Sequence, residues 1–155
     1  MNQKGQTMVE FALTVVVLFT LLFAIIDLSL MLYVNLTMQH AVREGARYAV
    51  VGQPDTDPKK GDVRRVAMER KISDSSNGLY IAKNIKEGPT VSVLTSRFNN
   101  YTTNQVKDTG APNDIIVVSL TYAWPLMTPL LYPFFTDGNY TFTVRSTMKN
   151  EPWGQ

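Results

Sequence analysis

Two acidic residues flank the most apolar stretch of the chain. Residues 11–26 carry no charge, while Glu10 precedes them and Asp27 follows them. A charged side chain deep in a bilayer costs about 2.5–3.5 kcal/mol even on a lenient scale, so it usually has a partner. The chemistry that these carboxylates indicate is therefore ion pairing or hydrogen bonding within an apolar environment.

The two acids differ in depth. Glu10 lies at the start of the apolar stretch, where it can face lipid headgroups. Asp27 lies about 7 Å from the midpoint of residues 11–34 in a helix. Thr20, Ala24 and Asp27 share one helix face at the spacing i, i+4, i+7, and small polar faces pack helices together in lipid. The spacing favours helix–helix assembly, and the alternative is an Asp27 that is merely tolerated near a tilted helix end.

Residues that commonly catalyse reactions or bind metals are scarce. The 155-residue chain has no cysteine and one histidine, His40. This composition excludes disulfides and thiolate nucleophiles, and a transition-metal site is not expected. Asp55 and Asp57 lack the glycine and distal glutamate of a calcium loop, and no phosphate-binding loop or nucleophile elbow is present. We expect no enzyme activity, cofactor or metal.

The charge of the chain points away from nucleic acid. The net charge is +2, and the densest basic run lies within residues 59–71, where acidic residues interrupt it. Such a run is more typical of a solvated helix face than of a patch for anionic lipid or nucleic acid. We expect no nucleic-acid partner.

The apolar stretch is long enough to cross a membrane. Residues 11–34 contain Asp27 as the one charged residue and span 24 residues, or about 36 Å as a helix, against a hydrocarbon core of about 30 Å. A cleaved secretory signal would be shorter, with a small-residue cleavage site after it. The pattern predicts a retained single-pass helix.

The helix is predicted to continue beyond the membrane. Met38, Val42, Gly45, Ala46 and Ala49 fall at helical spacing, with polar residues between them. Gly52 and Pro54 then end the pattern. We predict one helix from about residue 8 to residue 51, half in lipid and half packed on a head.

The remaining residues predict a small α+β head. Residues 53–61 form a loop by composition, and Asp62 is placed to cap a helix that ends near Ile72. Alternation of apolar and polar residues predicts a strand over residues 140–149, with a turn at Asp137 and Gly138 before it. Two further strands, over residues 90–96 and 114–123, complete a predicted antiparallel sheet of about three strands, packed against the amphipathic half of the long helix.

An apolar segment with three prolines precedes the last predicted strand. Residues 124–135, here called the proline segment, read WPLMTPLLYPFF. Their prolines exclude a regular helix or a central strand. Two interpretations stay open: a loop folded onto the core, or an exposed patch for a partner subunit or the membrane surface.

The N-terminal residues resemble a known family. Gly5-Gln6-Thr7-Met8-Val9-Glu10 before a long apolar helix is similar to a type IV pilin signal, in which a peptidase cuts after the glycine. Val9-Glu10-Phe11-Ala12-Leu13 and Arg43-Glu44-Gly45-Ala46-Arg47-Tyr48-Ala49 resemble TadE-like minor pilins, or pseudopilins, of the tight-adherence (Flp) pilus system. The tail at residues 145–151 also resembles the end of TadE-like domains.

The resemblance carries several expectations. It implies a leader at residues 1–5 cut by a prepilin peptidase, a helix over residues 6–52 and an extracytoplasmic head over residues 53–155. It also implies residence in a bacterial inner membrane with the N-terminus cytoplasmic, and other pilins and pilus-assembly proteins as partners of the helix. Glu10 would then pair with the new ammonium of Gln6, in a neighbouring chain or in its own.

One other interpretation of the chain stays open. The protein could instead be a bitopic envelope protein whose head binds a ligand or peptide and whose helix is a plain tether. In that case the leader would remain uncut, and Glu10 and Asp27 would be dispensable.

Overall fold

The structure is a computed structural model that describes residues 3–51, 63–94 and 109–152. Several predicted features lie outside these residues: Met1 and Asn2 of the leader, the loop over residues 53–61, the cap at Asp62 and the end of the first predicted strand at residues 95–96. The described chain is α+β, with a long apolar helix, one further α-helix and a three-stranded antiparallel sheet. This architecture confirms the predicted fold class.

The first helix, α1, runs without interruption from Gln3 to Val50. Val15, Val16 and Val17 disfavour a helix in water, but in lipid only a helix satisfies every backbone group of a spanning segment. Its N-terminal part is apolar and exposed around most of its circumference, whereas its C-terminal part is amphipathic. The observed helix agrees with the predicted one at its C-terminal end and begins earlier at its N-terminal end.

The chain divides into two compact units, which are described separately. One consists of Met1–Tyr33 with Trp124–Tyr140 and is here called the helix unit. The other consists of Val34–Ala123 with Thr141–Gln155 and is here called the sheet unit.

The core of the sheet unit includes one face of α1. All five residues of the predicted amphipathic face are buried, while Gln39, Arg43 and Arg47 are exposed. The second helix, α2, runs from Val63 to Asp74 and buries Ala67, Met68 and Ile72. The buried face residues of α1 are Met38, Val42, Gly45, Ala46 and Ala49.

The sheet has the order β1-β2-β3, with β2 in the centre. β2 covers Ile115–Pro125 and β3 covers Asn139–Lys149. In β3 the side chains alternate between exposed and less exposed from Thr141 to Lys149, as the sequence pattern predicts. β2 buries four alternating residues, which is typical of a central strand: Ile116, Val118, Leu120 and Tyr122.

The first strand is longer than predicted. β1 covers Ile85–Leu94 and pairs antiparallel with β2, whereas the sequence predicts a start at residue 90. Gly88 and Pro89 precede that residue and normally argue against a strand. The register shifts between Ile85 and Thr90 accommodate them, and a Cβ at Gly88 would lie 2.7 Å from the Ser119 carbonyl oxygen.

A glycine allows α1 and α2 to approach closely. A Cβ added at Gly45 would lie 2.3 Å from Ile72 Cγ1 and 3.1 Å from the Met68 carbonyl oxygen. The Ile72 side chain is fully buried, and the Met68 oxygen belongs to the backbone. Neither atom can therefore move freely to make room for a Cβ. The small residue is therefore a packing requirement of the sheet unit.

We expect Gly45→Ala to destabilise the sheet unit by about 1–3 kcal/mol, because overpacking outweighs the better helix propensity of alanine. Chemical denaturation of the full chain in detergent, followed by circular dichroism, measures this effect. Ile72→Ala removes the clashing atoms, so the double variant should lose less stability than the two single losses combined. Strict additivity would show that the two residues do not share this contact.

Candidate functional site

The residues implied in processing lie at the start of α1. Gly5 is already helical, and an added Cβ would meet nothing within 4 Å. Packing within the described chain therefore gives no reason for a glycine at this position. Gln6 is exposed, and its Nε2 donates a hydrogen bond of 3.2 Å to Oε1 of Glu10.

Glu10 is exposed at the N-terminal end of the apolar helix. Its side chain accepts from Gln6, and its backbone carbonyl accepts from the Thr14 hydroxyl at 2.9 Å. Both contacts are local contacts one turn along the same helix. The carboxylate is thus accessible to a group from another molecule.

Asp27 has a different environment, because it is buried. Only 2% of its surface is exposed, although its neighbours Ile26 and Leu28 are 48% and 54% exposed. Oδ1 accepts a hydrogen bond from the backbone N–H of Met127 at 3.1 Å, and Oδ2 accepts from the N–H of Thr128 at 2.9 Å. Each carboxylate oxygen therefore has a backbone donor from a segment about 100 residues further along the chain.

The predicted small face of α1 is less exposed than the surfaces beside it. Thr20 and Ala24 are half-buried, and the face continues to the buried Met31. The Thr20 hydroxyl donates to the Val16 carbonyl oxygen at 2.8 Å, within the helix. Thr20, Ala24 and Asp27 share this face, as their spacing predicts, and its use in assembly with another helix stays a prediction.

The proline segment is a compact irregular connection between β2 and β3. A 3-10 helix forms at Pro129–Phe134, and a second short turn at Thr136–Gly138 leads into β3. Asp137 and Gly138 both have positive φ, 54° and 66°, which agrees with the predicted turn. The Leu126 N–H donates to the Gly138 carbonyl oxygen at 3.0 Å and closes the connection.

The segment presents large apolar side chains on its surface. Leu126 is buried, but Met127 is 70% exposed and Phe134 is 80% exposed. Tyr132 is partly exposed, and its ring lies where a side chain at Gly138 would contact it. The segment therefore combines the two interpretations of the sequence, since part of it is buried and part forms an exposed patch.

The described residues contain no group of three or more His, Cys, Asp or Glu side chains that could hold a metal ion. In the sheet unit, burial and the carboxylate of Glu69 raise the pKa of the Tyr80 phenol, while Arg65 opposes the shift. That phenol stays protonated at neutral pH and is no base there.

The helix and the family comparison together define the class of the protein. α1 is long and apolar enough to cross a membrane, and only 11% of its most apolar 18-residue window is buried, unlike the core helix of a soluble protein. The chain is thus a single-pass membrane protein with an α+β fold, and its described residues contain one N-terminal helix able to span the membrane.

The TadE-like protein family model matches residues 5–47, or 43 of the 155 residues. The N-terminal part of the chain is therefore similar to TadE-like proteins, and the resemblance of its N-terminal motifs is confirmed. No curated protein and no solved structure matches the chain.

The sequence prediction did not include the contact between Asp27 and the proline segment. Two signals point to it in retrospect: an acid without a partner in an apolar helix, and a distant apolar segment without a charge. Neither signal specifies backbone N–H groups as the donors, because three-dimensional proximity is needed for that choice.

We expect Asp27→Ala to release the proline segment from α1. A hydrogen bond to a charged group contributes about 1.5–3 kcal/mol, so amide exchange at Met127 and Thr128 should accelerate roughly 10–100-fold. Hydrogen–deuterium exchange of the full chain in lipid nanodiscs, read by NMR at single amides, measures this change.

Ser29→Ala is the matched control for this experiment. It removes a polar group of α1 whose hydroxyl bonds the Ile25 carbonyl oxygen at 2.8 Å, and it leaves Asp27 in place. Exchange at Met127 and Thr128 should stay at its original rate in this variant. Equal rates in the Asp27→Ala variant and the unaltered chain would contradict the carboxylate contact.

Proposed function

We propose that this TadE-like protein is a minor pilin, or pseudopilin, of a tight-adherence (Flp) pilus system. It would act as a membrane-anchored structural protein that helps to assemble or initiate the pilus, and not as an enzyme. The observation that carries the proposal is the family match over residues 5–47, since these residues contain Gly5, Gln6 and Glu10. The proposed setting is a bacterial inner membrane, with the N-terminus cytoplasmic and the head outside the cytoplasm.

The surface of α1 supports a role in bundling with other helices. Large apolar side chains from Met8 to Tyr33 are exposed on several sides of the helix. In lipid such a helix associates through close van der Waals packing and polar contacts between helices. Other pilins and pilus-assembly membrane proteins are the proposed partners.

Glu10 is the proposed polar contact in that assembly. Cleavage after Gly5 would create an ammonium on Gln6, at the same membrane level as Glu10 of an adjacent chain. Opposite charges attract more strongly in a low-dielectric environment, although desolvation offsets part of the gain. The exposed carboxylate of Glu10 is accessible for such a pair.

In the described residues of the sheet unit, the alternative of a ligand-binding head has weaker support. The sheet unit contains a cavity of about 150 Å³, lined by Glu44, Arg47, Tyr48, Val51 and Lys71. Sites for drug-sized ligands usually have about 300–1,000 Å³. The cavity is therefore small for a ligand site and does not favour this alternative.

The first test of the proposal is processing at Gly5. In native membranes with an active prepilin peptidase, intact mass should show a chain that begins at Gln6. Gly5→Ala should slow or abolish this cleavage, and the open space that the described residues leave around Gly5 means that the substitution does not disturb their packing.

Met8→Leu, a change at an exposed position of the same helix, serves as the control and should be processed normally. An unaltered chain that still begins at Met1 beside an active peptidase would argue for the plain tether instead.

The second test concerns Glu10. Glu10→Gln should reduce the number of surface pili about tenfold or more, because a neutral amide loses the ion pair with the ammonium. Electron microscopy and quantification of sheared pili measure the effect, and thermal unfolding of the full chain should be unchanged.

Glu44→Gln is the control for this test, since it changes a carboxylate on the same helix that lies in the sheet unit. Normal pili in the Glu10→Gln strain would remove Glu10 from the assembly mechanism.

A further inference from the structure

The proline segment is attached to α1 at a level where the helix surface is still apolar. Its attachment point is Asp27, through the N–H groups of Met127 and Thr128. Beyond Asp27, the side chains of Leu28, Leu32 and Tyr33 are 54%, 65% and 52% exposed. In the helix unit this apolar surface extends about 9 Å past Asp27, at 1.5 Å per residue.

The composition of the segment matches this level. No charged residue occurs from Trp124 to Thr136. Two strongly exposed side chains of the segment, Met127 and Phe134, are large and apolar. Clustered apolar exposure of this kind usually marks a surface that contacts another molecule or a membrane.

The backbone of the segment is also suited to an environment with little water. Non-helical backbone at membrane depth requires that its polar groups be satisfied within the protein. Three positions, Pro125, Pro129 and Pro133, have no N–H to satisfy. Five N–H groups of the segment have acceptors within the helix unit: those of Leu126, Met127, Thr128, Leu131 and Phe135.

We propose that the proline segment is a second membrane contact of this protein, lying in the bilayer against α1 with Met127 and Phe134 among the lipid acyl chains. Asp27 holds the segment at this depth, and the segment in turn shields the carboxylate from lipid. The occupant of the exposed patch is thus lipid, continuous with the lipid that surrounds the adjoining surface of α1. This inference rests on the spanning helix and is independent of a role in a pilus.

Site-directed spin labelling tests the proposal, and the absence of cysteine in the chain allows single labels. Met127→Cys and Phe134→Cys change exposed side chains, so the variants should fold. Each full-length variant is labelled with a nitroxide and reconstituted, with one protein molecule per nanodisc, in phosphatidylethanolamine and phosphatidylglycerol. Collision rates with oxygen, which partitions into lipid, and with a water-soluble nickel chelate then report the depth of each label.

Two further labels calibrate the measurement. Leu22→Cys replaces a side chain in the middle of the apolar stretch, and Lys149→Cys replaces an exposed charged residue of β3. The ratio of oxygen to nickel accessibility at residues 127 and 134 should approach that at residue 22. It should also exceed the ratio at residue 149 by about fivefold or more, since oxygen concentrates in hydrocarbon and the chelate is excluded from it.

A further substitution tests the role of Asp27. In the chain labelled at residue 134, the added substitution Asp27→Ala should raise nitroxide mobility and lower the ratio of oxygen to nickel accessibility. The control substitution Ser29→Ala should change neither quantity.

The proposal would be overturned if the accessibility ratios at residues 127 and 134 were equal to the ratio at residue 149. Labels that become protected only when other membrane proteins are added would also overturn it, because the patch would then be a protein contact. A water-exposed label at residue 22 would overturn the membrane position of α1 and the proposal with it.

Discussion

A buried carboxylate in an apolar helix is the constraint on which the helix unit depends. Asp27 is almost entirely shielded from the solvent around the protein, and it accepts two hydrogen bonds from consecutive backbone N–H groups. A carboxylate taken out of water without such donors would be strongly destabilised. The contact therefore determines where the proline segment meets α1, and it leaves the apolar side chains of that segment on the surface. The two halves of the helix unit, far apart in sequence, are joined by this one charged group.

One continuous helix serves two environments, and its sequence changes accordingly. Around Leu22 most side chains are apolar and exposed, as a helix surrounded by lipid requires. Around Val42 the apolar side chains are confined to one buried face, as a helix on a protein core requires. The change occurs without a proline, so the helix crosses it intact. Because Gly45 has no side chain, α1 and α2 lie close together, and Ile72 of α2 occupies the space that a Cβ at position 45 would need.

The secondary structure of this chain could be predicted because its patterns are local. The alternation in β3, the buried face of α1 and the Asp137–Gly138 turn each depend on residues that are close in sequence. The start of β1 was predicted too late because Gly88 and Pro89 break the local pattern, while the pairing with β2 continues past them. The partner of Asp27 could not be predicted, since it depends on the placement of a segment about 100 residues away.

The two acids of the apolar helix differ in what they can offer to a partner. A molecule that recruits Asp27 must displace two backbone N–H groups and leave them without an acceptor, at about 1–3 kcal/mol for each buried group. A molecule that recruits Glu10 displaces only the amide of Gln6, one turn away on an exposed surface, where such a pair contributes a few tenths of a kcal/mol. Glu10 is therefore the acid that costs less to recruit between chains, whereas Asp27 already stabilises a contact within its own chain. A sequence shows both as unpaired acids in an apolar helix, and only the fold distinguishes them.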